Sequence, residues 1–207
     1  MMSYSFEEIK ADLNKIDVKQ FYMKHIVRSE NWYFEKILEI PDEKIIAMVD
    51  DFKMLVSDSL KVSFNSIMMV GSGKTGYSFA PGNGLRAFIN DGEDGKTSDI
   101  DIAIISSALF GHFWDVFRKA YNTTNRRKYN FISRGIFRGY ISDIDLLDID
   151  LCRMEWQEIS NDATRKLQQQ LYFKHEIHYR IYRSWEDFEE YNIQSLNLLK
   201  TEVIGNV

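Results

Sequence analysis

Residues 100–105, Ile-Asp-Ile-Ala-Ile-Ile, form an almost continuously apolar run broken by a single carboxylate. A run this short and this apolar reads as a buried strand, which constrains the chain more than any other feature. A second run, Ser66-Ile-Met-Met-Val70, stops at Gly71 and reads the same way. Between the two, residues 71–98 are rich in Gly, Ser, Asn and Asp and are expected to be turns and loop. Ser106 or Ser107 can cap the next helix, where Leu109, Phe113, Val116 and Phe117 fall on one side. Strand, loop, strand and helix in this order predict an α+β domain with a small mixed sheet.

The flanks supply the rest of the organisation. Residues 4–14 read as a short amphipathic helix with Phe6, Ile9 and Leu13 on one face. Residues 18–27 and 31–40 read as two more helices, the second rich in aromatics. Pro41 suits a first helical turn, and Ile45, Met48, Phe52 and Leu55 continue at helical spacing to about Leu60. Residues 1–60 are therefore expected to form a helical region packed on a core of residues 61–207. Near the C-terminus, Glu176-Ile-His-Tyr-Arg-Ile-Tyr182 alternates with period two and reads as a strand. Ser184 then caps a helix carrying Trp185, Phe188, Tyr191, Ile193 and Leu196, with Asp187 at capping-box spacing.

Composition removes several classes of function. With 26 basic and 31 acidic residues the net charge is −5, so the whole molecule is no nucleic-acid sponge. The N-terminal sequence is acidic and amphipathic and does not read as a signal peptide. No stretch approaches the roughly 18 apolar residues of a membrane helix, so no membrane partner is expected. The single cysteine, Cys152, excludes an internal disulfide and fits a reducing cytoplasm. Charge is unevenly spread. No acid lies between Asp115 and Asp143, where Arg118, Lys119, Arg126, Arg127, Lys128, Arg134 and Arg138 fall. Asp143, Asp145, Asp148 and Asp150 follow at once. The pattern suggests a phosphate-handling face beside a metal-handling one, and a solvated helix-loop surface is the plainer reading.

The chemistry-bearing stretch runs from Val70-Gly71-Ser72 to Ser98-Asp99-Ile100-Asp101. Residues i and i+2 of a strand share a face, so Asp99 and Asp101 present two carboxylates together. Hard divalent cations take such oxygens, and Mg²⁺ is commonly held by one or two carboxylates plus substrate phosphates. Gly71 permits close approach of backbone to phosphate, and Ser72 adds a hydroxyl without bulk. These residues resemble the DNA polymerase β-type nucleotidyltransferase superfamily, whose hallmark is a strand ending in Gly-Ser or Gly-Gly, a loop, and a strand with Asp-x-Asp. The match spans about 45 residues, Ser66 to Phe110. The resemblance implies that Gly71 and Ser72 hold a nucleoside triphosphate, with Lys74 and Ser98 nearby. It implies that Asp99 and Asp101 ligate two Mg²⁺ (or Mn²⁺) ions, and that a third carboxylate sits on a later strand.

Asp145 is a candidate for that third acid, as are Asp143, Asp150 and Glu176, and the sequence does not choose among them. Residues 147–152 alternate like a strand. If instead the strand at 176–183 is the counterpart, its inward positions are His178 and Arg180, which are not acids. Gly71-Ser-Gly-Lys-Thr75 also looks like the end of a P-loop, but Met68 stands where the first glycine is required, and Pro81 soon follows. A P-loop NTPase is thus the weaker reading. His112 reads as a partly buried packing residue. His175 and His178 flank Glu176 without metalloprotease spacing, and Arg180 and Arg183 can meet phosphate or pair with Glu186 or Asp187. The expected activity is transfer of a nucleoside monophosphate from an NTP to a hydroxyl of a small molecule, protein or nucleic acid. An inactive nucleotide-binding or partner-binding module is the alternative. By resemblance, a compact transferase of this sort suits a toxin–antitoxin or phage-defence module, with a partner protein from the same operon.

Overall fold

The computed structural model describes residues 3–28, 31–92 and 95–205. Met1 and Met2 of the amphipathic N-terminal stretch, and Glu93 and Asp94 of the expected loop, lie outside the described residues. Helix α1 (Phe6–Lys15) begins at a capping box: Glu8 N donates to Ser5 Oγ at 3.3 Å and Ser5 N to Glu8 Oε2 at 2.8 Å. Helix α2 (Val18–Tyr22) runs into a π-helical turn at Met23–Val27. The helix expected at 31–40 is only a π-helical turn, Tyr33–Ile37. Glu39 at φ +53° ends it, and Pro41 precedes α3 (Asp42–Leu60) as its N-cap instead of entering the first turn.

Strand β1 (Ile67–Val70), helix α4 (Gly71–Thr75) and strand β2 (Ile100–Ile105) follow, then α5 (Ser107–Ala120) and α6 (Arg126–Phe137). The short α4 corrects the expectation of pure loop after Val70. Strand β3 (Tyr140–Ser142) leads into α7 (Asp143–Asp148) and α8 (Asp150–Gln170). The strand-like alternation at 147–152 is therefore helical. The buried positions are Leu146, Ile149, Cys152, Trp156, Ser160, Ala163 and Leu167, which repeat at three to four residues and outweigh the short period-two pattern. Strand β4 (Ile177–Tyr182) and helix α9 (Trp185–Gly205) complete the chain, with Asp187 N donating to Ser184 Oγ at 3.1 Å as the cap.

The four strands lie in the order β1-β2-β4-β3. β2 is antiparallel to β1 and parallel to β4, while β3 is antiparallel to β4. The sheet is mixed, and the architecture is α+β with helices on both faces. Alternation sorts the side chains. Ile67, Met69, Ile100, Ile102, Ile104, Ile177, Tyr179 and Ile181 join Phe52, Phe113, Phe117 and Trp156 in one core. Ala103, Ile105 and Tyr182 face the other way, toward Ile9, Leu13, Phe21, Phe188 and Leu196. On that second face Asp101, His178 and Arg180 replace apolar residues in the alternation.

Candidate functional site

The register of the sheet assembles the site. Val70 is the Cα partner of Asp101 on one side, and His178 is its partner on the other. The chain leaves β1 at Gly71 with φ +67°, and a Cβ there would lie 2.4 Å from Asp101 Oδ2. Both the left-handed backbone and the space already filled by the carboxylate demand glycine. Gly71, Ser72, Lys74, Asp99 and Asp101 line one cleft of about 320 Å³, walled by Arg180 and by Tyr191, Asn192 and Ser195 of α9. That volume is at the lower end of ordinary small-molecule sites. Lys74 is buried in it.

Ser98 does not line the cleft. Its hydroxyl accepts from Ile89 N at 2.9 Å and its own N–H donates to Ile89 O at 2.8 Å. The residue closes the base of the loop, which is a different task from the nucleotide contact expected of it. Thr75 Oγ1 donates to Tyr77 O at 2.7 Å and steadies the turn after α4.

The two carboxylates differ. The Asp99 side chain is half exposed. Asp101 is pushed up to about 6 by burial and then by the negative charge of Asp99 beside it. Each would gain from a cation between them. On β4 the neighbouring positions carry bases. His178 Nδ1 lies 3.3 Å from Asp143 Oδ2, and its Nε2 lies 3.9 Å from Asp99 Oδ2 and 3.7 Å from Glu176 Oε1. The hydrogen bond to Asp143, opposed by burial and aided by the three carboxylates, raises His178 to about 9. At neutral pH it is an imidazolium. Asp143 is buried, accepts from Tyr179 N at 2.9 Å through Oδ2, and leaves Oδ1 without a hydrogen-bond partner. Arg180 Nη1 donates to Tyr191 OH at 2.8 Å, and its guanidinium carbon stands 5.0 Å from the ring centres of both Tyr140 and Tyr191.

The candidates for a third acid therefore separate. Asp143 reaches the site through His178. Asp145 lines a neighbouring groove, with its carboxyl raised chiefly by burial. Asp150 is exposed on α8 and pairs with Arg153. Glu176 is largely exposed at the start of β4 and touches only the outer edge of His178. Asp145 does not line the Asp99–Asp101 cleft because α7 begins at Asp143 and its first turn carries Asp145 past the sheet.

Among the described residues, no three His, Cys, Asp or Glu side chains form a ligand set. The donor set open to the cleft is Asp99 and Asp101. Two carboxylates, one of them held uncomfortably close to a like charge, fit one hard divalent cation completed by water and phosphate oxygens. A cradle for two ions built from three acids is not what β4 supplies, since His178 and Arg180 occupy its inward positions. A scan of protein-family models and searches of curated proteins and of solved structures found no match.

His112 is exposed and bonds Glu155 Oε2 at 2.7 Å, so it is no packing residue. His175 is buried and its Nδ1 meets Tyr33 OH at 2.9 Å. Arg183 is held by both oxygens of Asp187, at 2.7 and 2.8 Å. Arg126 and Arg127 are exposed at the start of α6, outside the cleft. The cleft wall on α9 escaped the sequence reading. Tyr191, Asn192 and Ser195 fall on one helical face, but α9 carries polar and charged residues all along its length, so no sequence signal set this strip apart.

Proposed function

We propose that this chain is a divalent-metal-dependent nucleotidyltransferase, with the resemblance to the polymerase β-type superfamily extended to its cleft. The observation that carries the reading is the contact of Gly71 with Asp101 where β1 and β2 pair. A phosphate-approaching turn and a carboxylate pair thus share one wall of one cleft. In this reading Asp99 and Asp101 hold Mg²⁺ or Mn²⁺, which when bound supplies charge neutralisation for the triphosphate. Gly71 and Ser72 offer backbone and hydroxyl to the phosphates, and Lys74 and Arg180 add positive charge at opposite walls. Nucleoside monophosphate transfer to a hydroxyl, with release of pyrophosphate, is the reaction such a cleft serves. His178, held as a cation by Asp143, balances the acids and orients Asp99 instead of taking the proton of the attacking hydroxyl.

A second reading is favoured by Arg180 and His178 on β4, which leave the site with two carboxylates at the cleft: a nucleotide-binding module without transfer. One experiment separates them. In the first, NTP binds only with Mg²⁺ or Mn²⁺, pyrophosphate is released, and Asp99→Asn with Asp101→Asn abolishes both while circular dichroism is unchanged. Metal-dependent binding without pyrophosphate release, over a panel of hydroxyl acceptors, selects the module. Undiminished metal-dependent binding in the double variant sinks the site itself.

A further inference from the structure

A second and larger concavity adjoins the cleft. It is a groove of about 1110 Å³ between α6, β3 and the first turns of α9, and Arg180 and Tyr191 line both spaces. Arg134 and Arg138, from the end of α6, face it as well. The guanidinium of Arg138 lies 4.7 Å from the ring centre of Tyr191 and 6.0 Å from that of Tyr140. Arg180 lies 5.0 Å from each of the same two rings. Two guanidiniums thus share two aromatic partners. Among the described residues, no carboxylate lies within ion-pair distance of Arg134, Arg138 or Arg180, whereas Arg183 in the same groove is matched to Asp187.

Cation–π contacts contribute only about 0.5–1 kcal/mol each at exposed sites and do nothing to relieve the repulsion between neighbouring guanidiniums. An anion between them does, and arginine presents the paired donors that a phosphate accepts. The Arg180 Nη1 donates to Tyr191 OH, and its Nε is buried without a hydrogen-bond partner, so its donor capacity is not fully used. The groove walls carry four arginines against three acids. Asp187 is taken by Arg183, Glu190 accepts from Gln194 at 3.0 Å, and among the described residues neither Glu190 nor Asp145 lies within ion-pair distance of Arg134, Arg138 or Arg180. The rim adds flat apolar surface: Phe137 is 91% exposed and Phe131 is 66% exposed, with Arg134 stacked 5.5 Å above the latter. Exposed rings interleaved with unpaired arginines are the surface on which bases stack and backbone phosphates anchor.

We propose that this groove is a second binding site, for a nucleotide unit whose phosphate lies between Arg138 and Arg180 and whose base lies on Phe137. That the occupant is the hydroxyl acceptor rests on the transfer reading above; the binding does not. Free nucleotide and the end of a single strand carry this same chemistry.

The test is fluorescence anisotropy in EDTA, which leaves the cleft without its cation, using a labelled six-nucleotide single strand and a labelled nucleoside monophosphate. Arg134→Gln with Arg138→Gln should weaken the bound probe about tenfold or more, and Phe137→Ala about fivefold or more, since one stacked base contributes roughly 1–3 kcal/mol. Both sets of positions are exposed, and unchanged circular dichroism excludes misfolding. Arg126→Gln with Arg127→Gln, at the far end of the same helix, should change little. Tighter binding of the strand than of the monophosphate assigns the site to a polymer end, and equal binding assigns it to free nucleotide. Equal weakening by the Arg126/Arg127 pair overturns the proposal in favour of diffuse charge. Absence of binding by either probe overturns it too, while metal-dependent NTP binding measured in parallel shows whether the cleft reading stands on its own.

Discussion

The two faces of the sheet use the same alternation to opposite ends. On the face toward α3, α5 and α8, every strand position is apolar, and Phe113, Trp156 and Tyr179 interlock by edge-to-face contacts of 5.8 and 5.4 Å. On the face toward α1, α2 and α9, β2 and β4 interrupt the apolar series with Asp101, His178 and Arg180. One face is sealed and contributes stability. The other gives up burial where the cleft opens, and charged groups there carry desolvation costs that only partners or ligands offset. The difference teaches where substitutions should cost folding and where they should cost binding.

The sealed face should yield the largest effect. Trp156→Ala removes a fully buried ring from the centre of α8 and should destabilise the protein by about 3–5 kcal/mol. Urea denaturation measures this, and a loss below about 1 kcal/mol would break the contrast between the faces. On the open face, Gly71→Ala forces a side chain into the left-handed region, at about 1–2 kcal/mol, and into the space of Asp101 Oδ2. Its stability loss should be smaller than that of Trp156→Ala, but nucleotide affinity, measured calorimetrically with Mg²⁺, should fall by more than tenfold. Intact affinity in a folded Gly71→Ala protein removes the turn from the site.

Both faces were legible in part. β2 is read to the residue at Ile100–Ile105, because an apolar run bounded by polar loop has few alternatives. The pairing of Gly71-Ser72 with Asp99 and Asp101 came from the family resemblance alone, and the sheet register brings Gly71 against Asp101. The partner of His178 was not. It comes from Asp143, 35 residues away, and lies at the site because α7 starts straight after β3. No spacing rule distinguishes Asp143 from Asp145 before the position of that helix start is known. Helix α8 went unread for another reason. Its buried residues are spread among many charged ones, and its first turn mimics a strand.

The smallest expected effect sharpens the comparison at the edge of the open face, where α1 and α2 meet. Burial works against the Asp12 carboxylate, but Lys24 at 2.6 Å and His25 at 2.8 Å hold its pKa below the usual 3.8. His25 is held below 6.5 because burial outweighs Asp12. Both groups bind protons less readily when folded, so both add stability at neutral pH. The His25 part is lost as pH falls below 6.5, and the Asp12 part only below 3.8. Asp101 and His178, both raised, add stability on acidification. The Asp12 and His25 parts are therefore read as differences in unfolding free energy between the wild type and Asp12→Asn, from urea denaturation at pH 7.5, 5.5 and 3.5, each under about 1 kcal/mol after screening. Asp12→Asn should remove the most acidic part and also push His25 further down, since Asp12 is what raises it. An advantage of the wild type over Asp12→Asn that does not shrink between pH 5.5 and 3.5 contradicts the Asp12 assignment.

The strand order has a consequence for synthesis. β2 stands between β1 and β4, yet β4 is made more than seventy residues after β2 is. Until Ile177–Tyr182 slots in beside it, Ile100–Ile105 is a bare apolar edge, the kind that pairs with whatever strand arrives first. A chain interrupted before residue 177 also lacks His178 and Arg180, so its two aspartates face each other with neither resident cation. Completion of the last strand therefore closes the edge and neutralises the acids in a single event. A nascent chain stalled short of it is one for chaperones to hold.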